Sequence, residues 1–251
     1  MKHNQLINSF YLKNKIIIFV LKFLNKWGRG FVLKNKIFSS KGVLERNFPL
    51  KSEFYFIQVG ANDGVSFDFL YEFVINRKSS GIVIEPVKEY FYELVNNYKD
   101  YPQIKKINKA VHSLDKSKII YKIKESSKHK YPDWVKGIAS FDERHHKKTN
   151  ISKEDIEIEN VLSDTLMNII SETNSIKRID YLQIDTEGYD LEILKMLDFY
   201  NIKPLLIKYE HVNLEKADFI SARKLLTDQG YSVYKEGNDT LGIDLHRINL
   251  L

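Results

Sequence analysis

The chain is expected to fold as a doubly wound α/β domain, and three observations in its 251 residues predict this. An apolar strand, Phe54-Tyr-Phe-Ile-Gln-Val59, runs straight into a tight loop bounded by Gly60 and Gly64. Downstream, strand and helix patterns alternate, as they do where parallel strands are joined by helical crossovers. The last two strand candidates are separated only by Glu236-Gly-Asn-Asp239, a hairpin turn that makes the final strand antiparallel.

Strands are expected at 54–60, 81–85, 104–111, 179–185, 203–210, 231–235 and 240–245, seven in all, and helices at 66–77, 87–98, 163–171, 189–199 and 216–228. The unbroken apolar runs Ile82-Val-Ile84 and Leu205-Leu-Ile207 suit strands covered on both faces. Gln229-Gly-Tyr231 places the expected glycine after the last helix. Residues 112–162 interrupt the alternation. They hold the strand-like run Ile119–Ile123, Trp134, the segment Gly137-Ile-Ala-Ser-Phe141 and the charged stretch Asp142–Lys148. Insertions of this length form lids and binding loops, or stay disordered. Residues 125–150 are expected to cover the site and to order on acceptor binding, with Trp134 and Phe141 offering stacking surface.

At this length and 43% hydrophobic content, one catalytic domain (51–251) behind an N-terminal extension (1–50) is expected. Cysteine is absent, which excludes disulfides, thiolate metal sites and cysteine nucleophiles. The net charge of +6 divides unevenly: residues 1–50 carry ten Lys/Arg and one acid, Glu45, leaving 29 Lys/Arg against 32 Asp/Glu in the rest. A slightly acidic body disfavours nucleic acid as a partner. Within the extension, the stretch from Phe10 to Trp27 is apolar but interrupted by lysines, too short and too charged to span a bilayer. Nor does it resemble a secretory signal, which points to a cytoplasmic protein. It reads as a helix that packs on the domain or on a second subunit, or that lies on the inner face of an anionic membrane. Because Ile16-Ile-Ile-Phe-Val-Leu21 is apolar all round a helix, packing is favoured. Gly28, Gly30 and Gly42 read as joints.

The glycine loop selects its ligand by what it lacks. Gly60-Ala-Asn-Asp-Gly64 has neither the lysine of a phosphate-binding P-loop nor the middle glycine of a dinucleotide fingerprint, and Asp63 would repel a pyrophosphate. The loop suits an adenosine that carries a cationic or zwitterionic group, and S-adenosylmethionine is the common one. A second strand ends in Glu85, about 20 or more residues after the glycines, where an acid accepts hydrogen bonds from ribose hydroxyls.

Two further strand ends bring acids to the same rim: Asp185 and Glu187 in Tyr181-Leu-Gln-Ile-Asp-Thr-Glu-Gly188, and Glu210 with His211 after Leu205–Tyr209. Open α/β sheets bind ligands at these carboxyl ends. Asp190 reads as support for a helix start.

These segments together, Phe56-Ile-Gln-Val-Gly-Ala-Asn-Asp-Gly64, Ile84-Glu-Pro86, Ile184-Asp-Thr-Glu-Gly188 and Tyr209-Glu-His211, resemble the FkbM family of S-adenosylmethionine-dependent O-methyltransferases over residues 54–245. The resemblance implies a class I methyltransferase fold with a Rossmann-like seven-stranded sheet, and methylation of hydroxyls on sugars or other natural products. It also implies S-adenosylhomocysteine as product. The expected cofactor contacts are Gln58, Gly60, Asn62, Asp63, Gly64, Ser66, Glu85, Pro86, Ala110, Val111, Ser140, Asp185 and Glu187.

Methyl transfer needs an acceptor oxygen held in line and a base within reach of its proton. His211, beside Glu210, is the candidate best placed by sequence, with Asp185 and Glu210 as alternatives. Asp185 and Glu210 could instead hold a divalent cation, although no metal site is assigned. His145 and His146 in the insertion are the rivals for the role of base, although adjacent histidines in a lysine-rich loop are more often solvated. The alternatives to a methyltransferase are a nicotinamide-dependent oxidoreductase and a non-catalytic scaffold of the same fold.

Overall fold

A computed structural model describes residues 2–25, 37–66, 69–113, 116–173 and 178–251. Its main sheet has seven strands: β1 (Glu53–Val59), β2 (Lys78–Ile84), β3 (Ile104–Ile107), β8 (Tyr181–Ile184), β9 (Leu206–Glu210), β10 (Ser232–Glu236) and β11 (Asp239–Ile243). They lie in the order β10-β11-β9-β8-β1-β2-β3. The strands from β9 to β3 are parallel, and β11 runs antiparallel to both β9 and β10. From β1 the chain winds outward through β2 to β3, then returns on the other side through β8 and β9. The winding reverses between β1 and β8, the place where such sheets open a crevice.

Period-two alternation sorts each strand between two cores. Phe54, Phe56, Val83, Tyr181 and Leu206 face one cluster, with α3 (Leu70–Ile75) and α4 (Lys88–Asn97). Ile57, Val59, Ile82, Ile84, Leu182, Ile184, Ile207 and Tyr209 face the other, with α6 (Leu166–Glu172), α7 (Asp190–Met196) and α8 (Lys216–Asp228). On the first face, the carboxyl halves of the strands turn polar, with Gln58, Gln183 and Lys208 following one another across the sheet and Glu210 two residues beyond Lys208 on β9. That polar layer is where the crevice lies.

The insertion differs from its expectation. It holds β5 (Ser117–Ile123) and, unforeseen, a nine-residue strand β7 (Ile156–Asp164), which pair antiparallel along seven residues. With β4 (Ala110–Val111) and β6 (Ala139–Ser140) they form a second, four-stranded sheet. The helix expected from 163 therefore starts at Leu166, behind the Thr165 cap. The expected strand 104–111 is split into β3 and β4 because the second sheet takes its last two residues. A short helix, α5 (Asp133–Lys136), lies between β5 and β6, preceded by a 3-10 turn at Glu125–Lys130. Buried Asp155 ties the segment down, accepting hydrogen bonds from Ser127 Oγ, Lys130 Nζ and Tyr131 Oη, each at 2.7 Å.

The described residues of the N-terminal extension hold two helices, α1 (Lys2–Asn25) and α2 (Ser40–Asn47). α1 does pack on the domain. Tyr11 stacks on His246 at 3.9 Å, and buried Asn14 donates to the carbonyls of Leu245 and Ile248 while accepting from Leu250 N. Trp27, Gly28 and Gly30 lie outside the described residues. Gly42 is no joint, since it falls inside α2.

Candidate active site

The loop after β1 is held by both of its neighbours. Gly60 N and Ala61 N donate to Ile84 O, each at 3.0 Å, while Asp185 N donates to Val59 O. Gly60 has φ +74°, and a Cβ there would stand 1.7 Å from the Asp185 carbonyl oxygen. Only a residue without a side chain lets the β1 and β8 ends approach this closely. Asn62 follows with φ +51°, a conformation that asparagine tolerates better than most residues.

Glu85 is buried and binds this loop from below. Its Oε2 accepts from Asn62 N and its Oε1 from Val87 N, both at 2.9 Å. Burial pushes its carboxyl up to about 7, against the pull of those two donors. Each oxygen accepts only one of these bonds, so the acid that fixes the loop still has acceptor capacity for a ribose.

Above the polar layer opens a cavity of about 520 Å³. Of the residues expected from sequence, Gln58, Gly60, Asn62, Ser66, Glu85, Pro86, Ala110, Val111, Asp185, Glu187 and Glu210 line it. Four do not. The Asp63 carboxylate caps the following turn, accepting from Val65 N, Ser66 N and Ser66 Oγ. Gly64 packs under Leu94 and Tyr98. Ser140 lies behind the wall and donates to Glu187 O at 3.0 Å, positioning the acid's backbone. His211 is on the wrong face: Lys208, Glu210 and Val212 point into the cavity, so alternation turns His211 outward, where it stacks on Phe219 at 4.9 Å and contacts Thr240 Oγ1 through Nδ1. Ser66 does not begin a helix either; it lies in a turn, and α3 starts at Leu70.

Three acids converge at the ends of β8 and β9. Oxygens of Asp185, Glu187 and Glu210 lie within 4.8 Å of one another, close enough for a divalent cation to bridge them. In the structure Asn213, missed by sequence, lies between two of them: its Nδ2 is 2.6 Å from Glu187 Oε2 and 2.8 Å from Glu210 Oε2. The crowding has electrostatic consequences. Asp185 opens onto the cavity yet is ringed by protein, so partial desolvation and then the neighbouring Glu210 and Glu187 hold its carboxyl above the usual range, while burial and Glu187 push Glu210 up to about 8. Lys208, also missed, enters the layer paired to Asp239 at 2.9 Å. Glu187 has φ +54°, a strained position for a glutamate.

His145 is not solvated as expected. A turn lays it inward, 3% exposed, with Nε2 3.1 Å from Glu187 Oε2. Asp190 does more than start a helix: fully buried, it accepts from Glu210 N at 3.1 Å and from Thr186 Oγ1 at 2.9 Å, locking the turn after β8 to the end of β9. The insertion supplies the remaining wall through Ile120, Trp134, Ile138, Phe141 and Lys148.

Raised acids give the fold a pH signature. A carboxyl whose pKa is higher folded than unfolded holds its proton more firmly in the native state, so its contribution to stability is complete below about 4.5 and lost as pH rises through its folded value. For Glu85, with a folded value about 7, the loss amounts to about 3 kcal/mol. Denaturant melts of the ligand-free protein at pH 5 and pH 8.5 are expected to show wild type losing more stability on this rise than Glu85→Gln; equal losses would remove Glu85 as the source.

A sheet of this order with an antiparallel last strand, a glycine turn at the switch point and an acid closing the second strand define a class I S-adenosylmethionine-dependent methyltransferase. The donor set fits that cofactor: apolar Pro86, Ala110, Val111 and Ile120 suit adenine, Glu85 suits the ribose, and the carboxylates suit the cationic sulfonium and amino groups. The chain belongs to the FkbM methyltransferase family, whose model, the methyltransferase FkbM domain, matches residues 58–233. Among solved structures it is similar to the methyltransferase FkbM from Methylobacillus flagellatus KT, at 14% identity and TM-score 0.47, over 76% of this chain and 44% of that one. It is also similar to the Methanococcus jannaschii fibrillarin pre-rRNA processing protein, at 13% identity and TM-score 0.42, over 83% and 75%. Comparison with the curated proteins finds no match.

Proposed function

We propose that the protein methylates a hydroxyl of a sugar or glycan precursor, in polysaccharide biosynthesis, with S-adenosylhomocysteine as product. The observation that supports this acceptor class is Trp134. It is 57% exposed yet lines the cavity, whose lining also includes Phe141 and the three acids. An open aromatic face next to hydrogen-bond acceptors suits a sugar, which presents apolar C–H faces and polar edges.

S-adenosylmethionine supplies the electrophilic methyl group when bound. The chain's own groups do the rest. The loop from Gly60 to Asn62 and Glu85 orient the cofactor, while the insertion wall narrows the mouth and holds the acceptor. Asp185 and Glu210 titrate as a pair held above the usual carboxylate range, and once Glu210 loses its proton, at about 8, its carboxylate is free to take the hydroxyl proton. The Asn213 amide steadies Glu210 from the side. A base reading is preferred to a cation-bridged one because that amide already occupies the space between Glu187 and Glu210. The nicotinamide alternative gives way to the family membership, and the scaffold alternative is opposed by the retention of Glu85, Asp185 and Glu187.

Methyl transfer assayed against a panel of sugar nucleotides and capsule fragments tests the acceptor class directly. With any acceptor found, Trp134→Ala is expected to raise its KM about tenfold, the size of one lost stacking contact, while leaving S-adenosylhomocysteine affinity unchanged. A KM unaltered by this change, or a panel in which only amines or proteins are methylated, would sink the sugar reading.

A further inference from the structure

α1 has two apolar faces; among the described residues one packs on the domain and the other is largely exposed. Tyr11, Asn14, Ile17, Ile18 and Leu21 turn toward the domain and join its core or bond to its C-terminal segment. On the opposite side Leu12, Ile16, Phe19, Val20 and Phe23 are 65%, 57%, 72%, 46% and 57% exposed. At 3.6 residues per turn these five fall within about 100° of arc, a continuous stripe along three turns. Lys15 borders the stripe on one side and Lys13 on the other, both exposed.

We infer that this stripe is a docking surface for an anionic lipid bilayer, on which α1 lies flat with its outer face at the boundary between headgroups and acyl chains. Charge complementarity selects this occupant. α1 carries four lysines and no acid, with Lys13 and Lys15 placed beside the stripe, while the 201 residues after the extension are slightly acidic. Basic residues flanking an apolar helical face are attracted to anionic headgroups as the face inserts. A second copy of this chain is the poorer occupant. Two-fold pairing through α1 would bring two strongly basic segments together, and five side chains on a single helix fall well short of the about 20–30 residues per partner in a stable interface. Among the described residues no helix is long and apolar enough to cross a membrane, so α1 lies on the surface rather than through it.

Geometry leaves the active site free. α1 docks against residues 245–251, which follow β11 where Ile243 pairs with Leu206 at the amino end of β9. The cavity opens at the carboxyl ends of the parallel strands, so a bilayer under α1 does not cover its mouth. The inference stands whether or not the acceptor is a sugar.

The test is co-sedimentation of the full-length protein with vesicles of phosphatidylcholine, with and without phosphatidylglycerol. Binding is expected only where phosphatidylglycerol is present and to weaken as salt is added. The double substitution Ile16→Glu and Phe19→Glu is expected to reduce it by about tenfold or more, with melting temperature and S-adenosylhomocysteine affinity retained. Should that variant fold poorly, Phe19→Ser alone is expected to weaken binding several-fold. Absence of binding to anionic vesicles, or full binding by the folded variants, would overturn the inference. So would a dimer in light scattering that these substitutions split, since the stripe would then belong to a second copy.

Discussion

Gly60→Ala is expected to abolish cofactor binding and to destabilise the fold by several kcal/mol. The added Cβ would stand 1.7 Å from the Asp185 carbonyl oxygen and 2.9 Å from its carbon, both backbone atoms of the turn leaving a central strand. A flexible side chain could swing away from such a clash, but this backbone can yield only by parting the β1 and β8 ends. Overpacking typically costs about 1–3 kcal/mol, and the φ of +74° adds about 1–2 kcal/mol for a residue bearing a side chain. Gly237→Ala provides the control: its φ is +59° but nothing lies within 4 Å, so it carries the conformational cost alone. Thermal melts and isothermal titration with S-adenosylhomocysteine should separate the two variants clearly. If Gly60→Ala melted and bound like Gly237→Ala, the close approach of the two strand ends would not be what shapes the site.

The central strands were legible because burial on both faces leaves unbroken apolar runs such as Ile82-Val-Ile84, which turns do not imitate. β7 was missed for the converse reason. It forms one layer of a small sheet with Ile158 and Leu162 60% and 65% exposed, and its alternation of isoleucine and glutamate lacks the apolar content that marks a core strand. In the site, the acids at the strand ends could be read from chain order alone, since topology brings the carboxyl ends together. Side-chain direction was the step that failed for His211: counting by twos from Glu210 would have turned it away from the crevice and would have brought Lys208 in. Gln58 and Gln183, polar residues inside apolar strands, carried the same message about which face held the cavity. Asn213 and Asp190 gave no such signal, because their partners are set by how the β8 and β9 turns meet in space. The burial of His145 likewise depends on a turn of the insertion that local sequence does not dictate.

Asp185→Asn is expected to separate stability from activity in opposite directions. In the ligand-free protein Asp185 faces the open cavity but is held among Glu187, Glu210 and Asp239, and its charge is opposed first by partial desolvation and then by these neighbours. Asparagine keeps the shape and removes the charge, so above about pH 8, where Glu210 also ionises, the variant is expected to melt at a higher temperature than wild type. Near pH 5, where the wild-type acids hold their protons, the difference should vanish. Activity should move the other way. Removing the Asp185 carboxylate ends the paired titration and takes one candidate base away from the acceptor; loss of a positioned base costs about 100- to 10,000-fold in kcat. The wild-type rate should rise with an apparent pKa near 8, where Glu210 loses its proton. Glu210→Gln is the companion, expected to lose kcat on the same scale while retaining affinity for S-adenosylhomocysteine. If Asp185→Asn were less stable than wild type at high pH, the electrostatic strain assigned to the cluster would be wrong. If it kept wild-type kcat, the proton would have to leave by another group, and the stored repulsion would serve cofactor binding alone.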